Sequence, residues 1–142
     1  MVTCTSASPA ETESAGRSVA RTLPPGTVVA LVGPLGAGKT QFVKGLAAEM
    51  GAPVSVTSPT FTLIHEYTGG RVPIYHFDFF RIEDRQAAER LGLDEYFFGD
   101  GISIVEWADK FPELIPTGAR WISLEPKSET ERLITIREDP GV

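Results

Sequence analysis

The run Gly33-Pro34-Leu35-Gly36-Ala37-Gly38-Lys39-Thr40 fits the spacing GxxxxGK[ST], and the chemistry of that spacing is the holding of a polyphosphate. Glycines at 33, 36 and 38 allow a bend tight enough to aim successive amides inward, those of Leu35 and Ala37 among them. A helix beginning at Lys39 adds positive potential where phosphates would lie. Lys39 is expected to reach the β and γ phosphates, and the Thr40 hydroxyl to enter the shell of a magnesium ion bridging them. The bland alternative is an ordinary glycine-rich strand-to-helix turn, and the order strand, loop, helix weighs against it.

Magnesium needs a carboxylate at the C-terminal end of a strand beside the phosphate loop. Glu106 has that place, directly after the apolar run Ile102-Ser103-Ile104-Val105; the alternative is a surface glutamate that ends a strand. Asp78 ends a second apolar run and has two readings in balance: a carboxylate that orients water at the γ-phosphate, or a turn-initiating aspartate. Thr60, in Thr57-Ser58-Pro59-Thr60-Phe61, is either a hydroxyl that senses the γ-phosphate from a proline-stiffened loop or part of a simple turn. Neither an [NT]KxD nor a DxxG pattern occurs, so ATP is preferred to GTP. His65 and His76 share no helical spacing and have no cysteine company, which favours packing over metal binding. Tyr75, Phe77, Phe79 and Phe80 around Asp78 read as core, and Trp107 either packs under Glu106 or faces a partner.

The elements that must position these groups are legible in outline. Ser8 to Glu11 form a capping box with proline at the first helical position, which predicts a helix over residues 9–22. Residues 27–32 (TVVALV) read as a strand buried on both faces, and 39–50 as the helix that follows the glycine loop, with Gly51 as its stop. Residues 61–67 and 72–77, separated by Gly69 and Gly70, predict a hairpin. A short charged helix is expected over 84–91, a buried strand over 102–105, and alternating strands over 120–125 and 132–137. The expected fold is α/β: one P-loop NTPase-like domain over 1–142, with a mixed parallel and antiparallel sheet flanked by helices and with frayed ends at about 1–7 and 138–142.

Composition narrows the function classes. A chain of 142 residues with 42% apolar content builds one sizeable core, and no apolar run approaches the roughly 18 residues of a spanning helix. A cytoplasmic place without membrane contact is the expectation. Thirteen Lys and Arg against 19 Asp and Glu leave a net charge of −6, the wrong sign for direct DNA or RNA backbone binding. With Cys4 alone, no internal disulfide forms.

Four segments, LGAGKT (35–40), TSPTF (57–61), HFDFFR (76–81) and VEW (105–107), together resemble the TsaE family, the bacterial ATPases of tRNA threonylcarbamoyladenosine biosynthesis. The likeness covers most of residues 9–112. It implies a compact P-loop fold, weak intrinsic ATP hydrolysis and work in complex with TsaB and TsaD, with tRNA touched only through those partners. The resemblance also implies that Lys39 is the phosphate lysine, that Thr40 and Glu106 are the magnesium ligands, and that Asp78 is the carboxylate needed for hydrolysis. Thr60 resembles the switch-loop threonine, and Thr12 matches a position near the nucleotide pocket. Pro34 and Phe80 depart from the family's usual Asp or Asn and Tyr, and beyond Pro116 the likeness is thin. Two other classes compete: a small-molecule P-loop kinase, for which no arginine-rich lid follows Gly51, and a non-hydrolysing ATP sensor in which Asp78 is structural.

Overall fold

The computed structural model describes residues 2–34, 36–52 and 64–138. Seven strands form one sheet: β1 (Val2–Ser6), β2 (Val28–Val32), β3 (Ile64–Tyr67), β4 (Ile74–Asp78), β5 (Ile102–Glu106), β6 (Arg120–Pro126) and β7 (Arg132–Glu138). Their order across the sheet is β1-β7-β6-β2-β5-β4-β3. The four central strands β6, β2, β5 and β4 run parallel, and each end of the sheet is finished by antiparallel pairing, β6 with β7 and β7 with β1 on one side and β4 with β3 on the other. This is the mixed sheet expected from the sequence.

Burial explains why the central strands read as apolar runs. In β2, Val29 and Leu31 enter a core with Val19, Phe42, Leu46 and Ile104, while Val28 and Ala30 face a second core with Phe77, Phe79, Phe97 and Phe111. The first core is roofed by helices α1 (Pro9–Ala20) and α2 (Lys39–Glu49). Two short helices, α3 (Arg85–Glu89) and α4 (Leu93–Phe97), lead into β5, and α4 supplies Phe97 to the second core. Ser8 caps α1 by accepting from the Glu11 amide at 3.1 Å, as expected, while the Glu11 carboxylate accepts at 3.0 Å from the amide of Ala7, one residue before the cap rather than from the cap itself.

Helices α1 and α2 touch at two glycines. A Cβ on Gly16 would lie 2.1 Å from the Phe42 carbonyl oxygen, and one on Gly45 would lie 1.8 Å from that of Glu13. Only hydrogen at these positions lets the capped start of α1 approach the helix that follows the phosphate loop.

The expectation of a frayed start is corrected. Val2–Ser6 is a strand, paired antiparallel with β7 from Val2↔Ile136 to Ser6↔Arg132, because the alternating β7 would otherwise present an unpaired edge. Cys4 lies within this strand and is an exposed free thiol. At the other end Glu138 belongs to β7, and residues 139–142 lie outside the described ones.

Candidate functional site

The register of the parallel strands assembles the site. Glu106 is the last residue of β5 and stands level with Leu31 of β2 on one side and Asp78 of β4 on the other. Two residues beyond Leu31 the glycine loop begins, so both carboxylates emerge where ligands bind in open α/β sheets, outside the C-terminal strand ends. There a cavity of about 590 Å³ is lined by Gly36, Ala37, Gly38, Lys39 and Thr40, by Asp78, Glu106 and Trp107, and by Thr12 and Arg132. Its size falls in the range of about 300–1,000 Å³ common to small-molecule sites.

Gly38 caps α2 in the left-handed region (φ 96°), a conformation that glycine adopts without strain. The first amides of α2 have no intrahelical acceptor and lie at this wall. Lys39 is buried; its Nζ donates to the Gly33 carbonyl at 2.6 Å and lies 3.8 Å from the centre of the Trp107 ring. Burial pushes the Lys39 ammonium down from its ordinary pKa, and the Glu106, Asp78 and Asp109 carboxylates pull it back up. Trp107 is the one non-glycine residue with positive φ among the described residues (59°), and its ring stacks at 4.7 Å on the half-exposed Phe80. A strained backbone at the cavity wall holds the indole over the ammonium.

The two carboxylates are differently held. Asp78 Oδ1 accepts from the Phe80 amide at 3.0 Å, so the turn-forming role is present, and its Oδ2 lies 3.9 Å from the Arg81 guanidinium. Burial raises the Asp78 carboxyl above the usual carboxylate range and the charge of Glu106 adds to this, against the pull of the Phe80 amide, Arg81 and His76. Glu106 Oε2 pairs with His76 Nε2 at 2.5 Å, and His76 Nδ1 meets the Tyr67 hydroxyl at 3.0 Å, all three residues being buried.

These residues fit a magnesium ion bound together with a nucleotide. Two buried carboxylates, Asp78 and Glu106, lie beside Lys39 at the cavity, and Thr40 lines the same wall, an oxygen set of the kind that takes a hard divalent cation. Among the described residues no group of three or more His, Cys, Asp and Glu forms a cage of its own. Magnesium is commonly held by one or two carboxylates plus substrate phosphates, which matches this set.

Thr12 lies at the cavity, as expected, yet its hydroxyl is engaged elsewhere. It shares a 2.7 Å hydrogen bond with the buried Ser6 hydroxyl, and a Cβ built on Gly38 would lie 3.5 Å from its Cγ2 methyl. Thr60 and Leu35 lie outside the described residues. Phe77 and Phe79 are core, as read, whereas Phe80 is exposed.

Sequence reading missed Arg132. From β7 its guanidinium donates to the Gly36 carbonyl at 3.0 Å and the Ala37 carbonyl at 3.1 Å, and to the Ser128, Glu129 and Glu131 carbonyls at 2.9, 3.3 and 3.0 Å. A trans peptide points its amide away from its carbonyl, so drawing the Ala37 carbonyl to Arg132 turns the Gly38 amide toward the opposite side, whereas the Ala37 amide, expected to face phosphates, donates to the Pro34 carbonyl at 3.1 Å. No local motif marks the residue's link to the glycine loop, because Ala37 and Gly36 stand 95 and 96 positions away.

The family described as threonylcarbamoyl adenosine biosynthesis protein TsaE matches residues 6–134, well past Pro116, where the likeness had looked thin. The chain is 45% identical over 128 residues to the tRNA threonylcarbamoyladenosine biosynthesis protein TsaE of Bacillus subtilis, covering 90% of this chain and 80% of that protein. It is 39% identical over 133 residues to the protein of that name from Treponema pallidum, covering 94% and 98%. The crystal structure of Bacillus subtilis YdiB superposes with a TM-score of 0.81 at 36% identity, covering 99% of this chain and 86% of that one. By the family match over residues 6–134 and the identity to these relatives over most of its length, the chain belongs to the TsaE family of tRNA threonylcarbamoyladenosine biosynthesis.

Proposed function

We propose that this chain is a Mg-ATP-binding ATPase subunit of tRNA threonylcarbamoyladenosine modification, whose nucleotide state regulates a complex of TsaB and TsaD homologues. The observation that carries this reading is the strand register that sets Asp78 and Glu106 level with each other beside Lys39 and Thr40, in one cavity at the start of α2.

In this reading the α2 amides and the Lys39 ammonium neutralise the triphosphate tail. Lys39 leaves the Gly33 carbonyl to reach the phosphates, and Trp107 keeps its charge desolvated until then. Thr40 and Glu106 would hold a magnesium ion, which would supply charge neutralisation at the triphosphate. Asp78, kept in place by the Phe80 amide, orients the attacking water and accepts its proton. Its raised pKa makes it a better base than an exposed aspartate, and the neighbouring Lys39 charge favours the ionised form. Thr60 is assigned to sensing the γ-phosphate. The net charge of −6 supports contact with tRNA through partners rather than directly. No described helix is long and apolar enough to cross a membrane.

Calorimetry of ATP titrated with magnesium into the pure protein tests the binding step, and phosphate release with and without TsaB and TsaD homologues tests the rest. Binding heat and partner-dependent turnover are expected. Absence of heat rejects the site, and a phosphorylated small-molecule acceptor formed over many turnovers replaces the reading with a kinase.

A further inference from the structure

We infer that His76, backed by Tyr67, is a positioning residue that holds the Glu106 carboxylate in the orientation required to bind the nucleotide's divalent cation. The inference rests on the Mg-ATP reading above and deepens it.

His76 is fully buried in the middle of β4, between Tyr75 and the buried Phe77 and two residues after the buried Ile74. An imidazole there needs a reason, since a buried polar ring costs free energy unless both nitrogens are satisfied. Both are satisfied, by Glu106 Oε2 and by the Tyr67 hydroxyl. The Glu106 carboxylate has no proton to give, so Nε2 carries the hydrogen and donates. In the neutral ring Nδ1 is then the acceptor of the Tyr67 hydroxyl, which fixes the tautomer. The chain of contacts starts on the outer hairpin strand β3 and ends at the cavity wall. It holds one oxygen of Glu106 and leaves Oε1 as the oxygen for the cation. Groups that orient a ligating side chain in this way typically change metal affinity by about 10–100-fold when removed.

Asp78 is not held by this chain. Its Oδ1 is fixed by the Phe80 amide, and the phosphate cradle is built from the loop and α2. Removing His76 should therefore affect the cation and spare the nucleotide.

The test is calorimetry of ATP into the full chain, in EDTA and over a range of Mg²⁺ concentrations, for wild type, His76→Leu, His76→Gln and Tyr67→Phe, with folding checked by circular dichroism. Magnesium should strengthen ATP binding by wild type. In His76→Leu that strengthening should fall about ten-fold or more while affinity in EDTA stays unchanged. His76→Gln places an amide donor near the Nε2 position and should recover most of the loss; Tyr67→Phe should raise the half-saturating Mg²⁺ concentration. A folded His76→Leu protein with wild-type strengthening, or with equal losses in EDTA and magnesium, overturns the inference. If His76→Leu does not fold, Tyr67→Phe decides: a wild-type Mg²⁺ requirement overturns it. Wild type that gives no ATP heat in either buffer rejects the nucleotide reading itself.

Discussion

Asp78 and Glu106 stand level at the C-terminal ends of neighbouring parallel strands, and the buried ammonium of Lys39 is attracted to both. Their surroundings nevertheless differ. Glu106 is gripped from below by His76, while Asp78 is tied to the turn that follows it and carries a raised pKa. Two carboxylates with different partners can take different roles, one holding a cation and one handling a proton.

Asp78→Asn separates the turn from the charge. The amide oxygen still accepts from the Phe80 N–H, so the fold and ATP affinity should persist, while turnover with partners should fall about 10²-fold or more. Phosphate release and calorimetry on the same preparation check this, and unchanged turnover would remove Asp78 from the mechanism.

Lys39→Ala takes away the only lysine among the described residues of the cavity wall. Both ATP affinity and hydrolysis should drop, the affinity by about ten-fold or more, as expected for loss of a charge-assisted contact of roughly 1.5–3 kcal/mol. Wild-type affinity by calorimetry would contradict the assigned pocket.

Arg132→Lys keeps the charge and discards the fork that grips five carbonyls on two segments. One ammonium cannot bridge the loop and the β6–β7 turn together. ATP binding should weaken in Arg132→Lys nearly as much as in Arg132→Met. Full rescue by lysine would show that only the charge matters.

Gly45→Ala places a methyl group 1.8 Å from the Glu13 carbonyl oxygen, which belongs to helix backbone and cannot swing away. Overpacking of this kind costs about 1–3 kcal/mol, enough to lower Tm by roughly 5 °C or more. Thermal denaturation measures it. A Tm equal to wild type would mean that α1 and α2 separate at little cost, and Thr12 would then be free to leave Gly38.

What the sequence determined by itself is contiguous. The helix cap at Ser8, the buried run of β2 and the glycine loop leading into α2 depend on spacing within about ten residues, and each appears in the structure at its expected place. Glu106 and Asp78 were legible as strand ends. That they stand level was not, because strand order and register come from pairing across the sheet rather than from neighbours along the chain. The same distinction explains the misses. Val2–Ser6 carries a weak, exposed pattern and becomes a strand only because β7 offers an open edge. His76 read as a packing residue until the fold set Glu106 against one nitrogen and Tyr67 against the other, and Arg132 had no significance until β7 brought it to Gly36 and Ala37. Local backbone preference wrote the cradle, and long-range hydrogen bonding in the buried sheet chose which side chains surround it.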